Sequence, residues 1–309
     1  MKDSPPAGTV PGSPTDPGLP RVGQGKVRDL YQVDHERLLI VASDRISAFD
    51  VVFRETIPEK GCLLTALSKF WFARMESLIP NHELKDDWSR LVHSQALPYL
   101  RGRSMLVRRL QPLPLEAVVR GYLAGSAWQA YRKGDNLPGI HLPTGLREAD
   151  PLPEILYTPT SKSPAGEHDH PISFDETVRR IGNGTLATAV REQSLAIFRE
   201  ASRYAETRGL IIADAKFEFG IDGAGNLFLI DELLTPDSTR YWPRDQYRPG
   251  SSPPSFDKQF LRQWLEISGW DKKPPPPSLP APVLAATRDR YVEACSRLMG
   301  IAIQASSGT

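Results

Sequence analysis

The sequence predicts a mixed α+β protein of two domains, and three observations carry that prediction. Short apolar runs such as residues 38–42, and the segment 211–230 with its charged alternation, read as strands separated by polar turns. Longer segments, such as 61–78 and 184–208, repeat their apolar residues at helical spacing. The 309 residues, 40% hydrophobic, can bury a sizeable core and favour two domains over one.

Residues 1–20 are rich in Pro, Gly and Ser without an apolar run, so they are expected to form a disordered tail and not a secretion signal. Residues 21–42 read as strand, turn, strand, with Gly23 and Gly25 where the first strand begins. A Gly-rich turn there can lay backbone N–H groups over nucleotide phosphates, with Lys26 adding positive charge. The pattern is neither a P-loop nor GxGxxG before a helix, so an ordinary hairpin is the alternative. In the polar segment 43–50, Asp44, Ser47 and Asp50 fall three apart. It serves either a ligand or the capping of a short helical turn.

Residues 61–78 form an amphipathic helix whose Phe70, Trp71 and Phe72 belong to the core. Residues 104–110 are a strand, and Pro112 and Pro114 break it into a connector that is the expected domain boundary. The next strand delivers Arg120 and ends at Gly125 and Ser126, the start of a helix. Free N–H groups there, with Ser126 and Arg120, suit a phosphate; the alternative is that Ser126 only caps the helix and Arg120 is a surface charge. Residues 139–173 are loop-rich, and His168 with His170 lacks a third metal ligand, which favours a solvated loop. A long helix is predicted within 174–208 with Gly209 as its C-cap. Two further helices are predicted over 256–270 and 287–303, joined by a proline-rich strap at 272–282.

The stretch 211–240 carries the densest chemistry. Asp214, Lys216 and Glu218 alternate with Ala215, Phe217 and Phe219, which puts three ionisable groups on one strand face and apolar groups on the other. If residues 223–226 form a four-residue loop, Glu218 stands opposite Asp231 with β-carbons roughly 5 Å apart. Two carboxylates that close want a cation, and a pair of this kind suits Mg²⁺ completed by water and nucleotide phosphates. Lys216 on the same face can meet a phosphate oxygen. A solvated polar face is the alternative, and a slip of one residue in register sends Asp231 to the other face.

Basic and acidic residues nearly balance, 38 against 37, which gives no argument for nucleic acid or an anionic membrane. No apolar run approaches the roughly 18 residues needed to span a bilayer. Two cysteines without metal spacing, Cys62 and Cys295, fit a reduced compartment, so a cytoplasmic protein is expected. Two phosphate-seeking sites around one metal suggest ATP and a second, phosphorylated substrate.

The motifs GKVRDLY, SDRISAFD, VVRGYLAGS, GEHDHPIS, DAKFEFG and DELLTPDSTRYW, in this order, resemble the SAICAR synthetase family, in its longer single-chain form. The likeness runs from about Gly23 to Gly300. It implies an ATP-grasp-like, two-lobe α+β architecture with a kinase-like N-terminal lobe at 21–111, a second lobe carrying the metal hairpin at 112–256, and a C-terminal helical segment at 257–309. It implies a ligase that uses ATP and Mg²⁺ to join L-aspartate to carboxyaminoimidazole ribonucleotide (CAIR), giving SAICAR, ADP and phosphate by way of an acyl phosphate. Neither nucleic acid nor membrane is an expected partner, and a monomer is expected.

Carried over by motif, Glu218 and Asp231 match metal ligands, while Gly25, Lys26 and Val27 match the loop over ATP. Lys216 matches a lysine at the nucleotide phosphates and, with Asp237, is a candidate catalytic residue; Asp237 lies in the motif facing the imidazole. Arg120, Ser126 and Arg240 match residues holding the ribonucleotide, and Asp44, Ser47 and Asp50 fall in a substrate-side motif. Thr235 stands where many relatives carry Ser, with the hydroxyl retained. A small-molecule kinase is the main rival, weakened by the lack of HRD-like and DFG-like elements. A nucleotide-binding regulatory protein without turnover is a third reading, which the presence of Lys216, Glu218 and Asp231 opposes.

Overall fold

The computed structural model describes residues 13–162 and 169–302. Most of the predicted tail, residues 1–12, lies outside the described residues, as does His168. Residues 13–20, expected to be disordered, are instead built into the fold. The His93 amide donates to the Pro17 carbonyl at 2.9 Å, the Gln32 amide donates to Pro20 at 2.8 Å, and Leu19 packs near Tyr31. A few apolar and backbone contacts thus outweigh the composition of the segment.

The chain begins with β1 (Arg21–Gln24), β2 (Arg28–Gln32) and β3 (Arg37–Ala42). A short hairpin, β4 (Arg45–Ala48) and β5 (Val51–Thr56), leads into α1 (Lys60–Met75). After a single-turn helix α2 (Leu97–Leu100), β6 (Ser104–Arg108) returns to complete an antiparallel sheet in the order β1-β2-β3-β6. Next come β7 (Gln111–Pro112), β8 (Leu115–Tyr122), α3 (Gly125–Lys133), β9 (Pro151–Tyr157) and β10 (Thr160–Ser161). Two helices, α4 (Phe174–Ile181) and α5 (Gly184–Thr207), precede β11 (Leu210–Ile221), β12 (Leu227–Ile230) and β13 (Thr239–Pro243). The chain closes with α6 (Gln259–Ile267) and α7 (Ala281–Met299).

The twelve-residue β11 organises the second sheet. It pairs antiparallel with β8, β7, β12 and β13, and β8 in turn pairs with β9 and β10. Its predicted alternation is realised: Ala215, Phe217 and Phe219 are buried in the main core, against side chains of α5, α1 and α7. The core is continuous across both sheets, and Trp71 and Phe72 are fully enclosed in it. A satellite core joins Ile46 and Phe53 of the β4–β5 hairpin to Leu261 and Leu265 of α6.

Helix boundaries differ from the periodic reading where capping residues intervene. The long helix expected within 174–208 is realised as α5, and a separate short helix α4 precedes it, because Gly182 takes φ 72° and ends α4 while the Asn183 side chain accepts the Leu186 amide to start α5. The last helix starts six residues before the predicted position, since a proline in its first turn needs no amide partner. Helix α6 is shorter at both ends than 256–270.

Gly61 in the first turn of α1 is required by a close approach. A β-carbon there meets the Ala42 carbonyl oxygen at 2.3 Å and Arg103 Nη1 at 2.9 Å. Gly61→Ala is therefore expected to lower stability by about 2 kcal/mol or more, because backbone overlap outweighs the gain in helix propensity. A urea melt with an unchanged midpoint contradicts this.

Candidate active site

A cleft of about 800 Å³ runs between residues of the two sheets and the start of α6. Its floor is the polar face of β11, where Asp214, Lys216 and Glu218 all line the cleft, with Glu116 and Arg120 of β8 alongside. The turn between β1 and β2 brings Gly25, Lys26 and Val27 to its edge. Apolar side chains of Leu30, Leu38, Ile40 and Val107 line the neighbouring wall.

The β11–β12 hairpin is not in the predicted register. Glu218 pairs with Ile230 and Ile221 with Leu227, so the loop spans five residues and Asp231 falls one position beyond the expected pair. The loop is fixed by Asp222, whose carboxylate accepts the Ala224 and Asn226 amides at 2.9 Å each. In a regular strand this slip turns Asp231 away from Glu218. Asp231 escapes that outcome by leaving the strand with φ 66°, a left-handed conformation open to Asp, and its side chain lines the cleft with Glu218. The proximity survives through backbone geometry other than the one expected.

Each carboxylate there is met by cations. Arg28 Nη2 donates to Asp231 Oδ2 at 2.6 Å, and Arg28 Nη1 lies 2.9 Å from Glu232 Oε2. Lys162 Nζ lies 2.5 Å from Glu218 Oε2; Lys216 Nζ lies 2.6 Å from Glu116 Oε1 and 3.8 Å from Glu218 Oε1. Lys216 and Lys162 hold Glu218 below the usual carboxylate range against the effect of burial. Asp231 is pushed up to about 6 by burial and by the charges of Glu218 and Glu232, which Arg28 only partly offsets. His82, behind this pair, is pushed down to about 3 by burial and by Arg28 and is neutral at pH 7. Among the described residues no group of three or more His, Cys, Asp or Glu is placed to hold a metal ion; Glu218 and Asp231 line the cleft together, each engaged by a cation.

At the β8–α3 corner, Arg120, Ser126 and Arg240 come together. Arg120 is buried; it donates to Ser126 Oγ at 3.1 Å, to Asp214 Oδ2 at 2.8 Å and to Thr158 Oγ1 at 3.0 Å. Arg120 is therefore not a surface charge, and Ser126 lies inside the helix, beyond the N-cap Ala124. Arg240 pairs with Asp214 and lies 3.6 Å from Asp257. Gly125 has φ 56°, and a β-carbon on it meets Arg240 Nη2 at 2.6 Å, so the glycine leaves room for the guanidinium.

Asp237 is brought to the cleft, but its carboxylate is committed. Lys60 Nζ lies 2.8 Å and Lys258 Nζ 3.0 Å from Oδ2, and the Tyr291 hydroxyl donates to Oδ1 at 2.6 Å. Lys258 and Lys60 hold it far below the usual range despite burial. Thr235 locks the preceding turn: its hydroxyl donates to Glu232 at 2.6 Å and accepts the Asp237 amide at 3.2 Å.

The segment 43–50 divides its polar residues between bracing and lining. Ser47 and Asp50 line the cleft, with Asp50 ion-paired to Lys26. Asp44 does not line it; its carboxylate accepts the Gly61 amide at 2.9 Å and pairs with Arg103 at 2.9 Å, capping α1 from the connection between β3 and β4. Buried Arg45 donates to the carbonyls of Gly25 at 3.2 Å and Lys26 at 3.1 Å while paired with Asp29 at 2.9 Å, so it pins the Gly-rich turn. Lys60, Glu116, Lys162, Asp257, Lys258 and Tyr291 were not predicted, and their wide separation in sequence gives no signal; Arg45 was passed over inside the polar segment 43–50. Arg28 lay within the motif GKVRDLY, two residues after Lys26 and at the start of β2, and was open to detection.

Residues 21–277 match the sequence profile of the SAICAR synthetase family. The chain is 50% identical over 282 residues to the phosphoribosylaminoimidazole-succinocarboxamide synthase of Chromobacterium violaceum, covering 91% of this chain and 99% of that one. It is 52% identical over 276 residues to the protein of that name from Halorhodospira halophila, covering 89% and 93%. Among solved structures it is similar to the SAICAR synthase of Saccharomyces cerevisiae in complex with SAICAR, with TM-score 0.86, 38% identity and coverage of 97% and 100%. A type-2 SAICAR synthetase structure in complex with ADP shares the fold at TM-score 0.68 and 23% identity, covering 92% and 99%.

Proposed function

The chain belongs to the SAICAR synthetase family, and from that premise we propose that its cleft joins L-aspartate to CAIR at the expense of ATP, giving SAICAR, ADP and phosphate in de novo purine biosynthesis. The protein is a carbon–nitrogen ligase. The observation that carries the site assignment is the single polar face of β11. It places Lys216 and Glu218 beside Asp231, and Asp214 beside Arg120, Ser126 and Arg240, in one cleft.

In this reading the turn at Gly25, Lys26 and Val27 lies over the ATP phosphates, the apolar wall takes the adenine, and Lys216 meets a phosphate oxygen. Glu218 and Asp231 fit Mg²⁺, whose remaining ligands are water and phosphate oxygens, because two carboxylates do not build an all-protein cage. The ion supplies charge neutralisation on the phosphates when bound. Arg120, Ser126 and Arg240 hold the ribonucleotide phosphate, with Asp214 keeping the two guanidinium groups oriented. The γ-phosphoryl group passes to a carboxylate oxygen of CAIR and ADP leaves; the aspartate amine then attacks the carboxyl carbon, a C–N bond forms, and phosphate departs. The protein's part is positioning and charge balance. Asp237 acts by shaping the loop that faces the imidazole.

We read the two sheets as the lobes of an ATP-grasp-like architecture, the first kinase-like, with divisions at 21–111, 112–256 and 257–309. No described helix is long and apolar enough to cross a membrane. A cytoplasmic monomer acting on small molecules completes the proposal.

ADP release by purified protein with Mg-ATP, CAIR and L-aspartate tests the function. ADP appearing only with both substrates, together with SAICAR, is the expected result. ADP formed with CAIR alone points to a kinase-like or uncoupled step, and no ADP under any condition removes the ligase reading. For Arg120→Ala, the KM for CAIR is expected to rise about tenfold or more with the KM for ATP little changed, as loss of a charge-assisted contact requires. A selective rise in the ATP KM shows the two phosphate sites to be exchanged.

A further inference from the structure

The Gly-rich turn between β1 and β2 is held from behind by a buried cation. Gly25, Lys26 and Val27 line the cleft, whereas Arg45 of β4 does not and is only 4% exposed. Its Nε donates to the Lys26 carbonyl at 3.1 Å and its Nη2 to the Gly25 carbonyl at 3.2 Å. The same guanidinium grips Asp29, with Nη2 donating to Oδ1 at 2.9 Å and Nη1 to Oδ2 at 3.1 Å. Ser43 holds the next carbonyl, that of Val27, with both its amide and its hydroxyl at 2.8 Å.

In a trans peptide the C=O and the N–H that follows it point in opposite directions, and both peptides of this turn are trans. The Gly25 carbonyl shares its peptide plane with the Lys26 N–H, and the Lys26 carbonyl shares its plane with the Val27 N–H. By holding these two carbonyls on the buried side, Arg45 turns the Lys26 and Val27 N–H groups toward the cleft. Among the described residues neither amide donates to an acceptor. Successive N–H groups on a turn make a concavity for an anion, and a charged donor on the carbonyl side polarises each peptide so that its N–H donates more strongly.

Resting on the reading that this turn lies over the ATP phosphates, we propose that Arg45 is a positioning residue for the nucleotide: it sets the two peptide planes whose N–H groups meet the phosphate oxygens. The role calls for arginine. Four hydrogen bonds leave one planar fork, two to the turn and two to Asp29. A lysine ammonium keeps the charge against Asp29 but has three donors on a flexible stem, and it cannot hold both carbonyls and the carboxylate in that geometry.

The test is calorimetric titration of the full chain with Mg-ADP and, separately, with adenosine, in wild type, Arg45→Lys, Lys26→Gln and the double variant Arg45→Met with Asp29→Leu. The double variant removes the buried pair together and leaves no stranded charge, so it reads the same contact should Arg45→Lys fail to fold. For both Arg45 variants the Kd for Mg-ADP is expected to rise about tenfold or more, while that for adenosine stays within about twofold, because only the phosphates meet the turn. Unchanged Mg-ADP affinity in the Arg45 variants, with Lys26→Gln weakened, overturns the assignment and keeps the turn at the phosphates. Equal losses for Mg-ADP and adenosine also overturn it, since they mark a general disturbance of the cleft. Wild-type Mg-ADP affinity in all three variants removes the reading of the turn and this assignment together.

Discussion

Asp231→Asn is expected to lower kcat by about 10²–10³-fold, the scale of losing one preorganised electrostatic group from an active site. The substitution removes the charge proposed to hold Mg²⁺ while keeping volume. Asn also tolerates the left-handed backbone at this position, where φ is 66°. The remaining carbonyl oxygen can still accept from Arg28, and Glu232 remains as its counter-charge. Stability should therefore not fall. In the fold Asp231 is raised to about 6, above its unfolded value of about 3.9, so its ionisation opposes folding at pH above 6 and has no such effect below about pH 4. The Asn variant is accordingly expected to melt at or above the wild-type temperature at pH 7, with any advantage shrinking toward pH 4. Near wild-type turnover contradicts the metal assignment; a large drop in melting temperature contradicts the electrostatic account.

Asp237→Ala is expected to be the most destabilising single change at the site, by about 3–5 kcal/mol, the cost of leaving a buried charge unpaired. Lys60 is fully buried, and its carboxylate partner in the fold is Asp237 at 2.8 Å; Lys258 and the Tyr291 hydroxyl lose the same partner. Adding Lys60→Met should recover part of the loss, because it removes the stranded charge. The sign with pH is fixed by the depressed carboxylate. Its stabilisation is present above the unfolded value of about 4 and disappears only as pH falls through its much lower value in the fold. Urea midpoints of the two variants at pH 7 measure the effect, and equal destabilisation of single and double variants argues against a stranded lysine.

These two aspartates mark how far the chain could be read from residue order. Asp231 was legible as a partner of Glu218, yet by a register the structure does not have. Five loop residues in place of four shift the pairing, and a positive φ returns the side chain to the cleft. Asp237 was legible as part of a dense polar loop, but nothing in sequence links it to Lys60, Lys258 and Tyr291, which lie 177, 21 and 54 residues away. Asp44 shows the same limit from the other side. Its spacing with Ser47 and Asp50 suggested a shared role, whereas its carboxylate caps a helix that begins sixteen residues later.

The sequence by itself determined the mixed α+β class, the core and polar faces of β11, the core aromatics of α1, and the placing of Arg120 and Ser126 together at a strand-to-helix corner. Period-two alternation and motif spacing are local properties, and local properties survive folding unchanged. Only the tertiary structure decided which carboxylate meets which cation: Arg28 with Asp231 and Glu232, Lys162 with Glu218, Asp29 with Arg45 at the Gly-rich turn, and Asp237 with Lys60 and Lys258. Charge pairing depends on distance and burial between segments remote in sequence, and those are fixed only when the two sheets and α6 close around the same cleft.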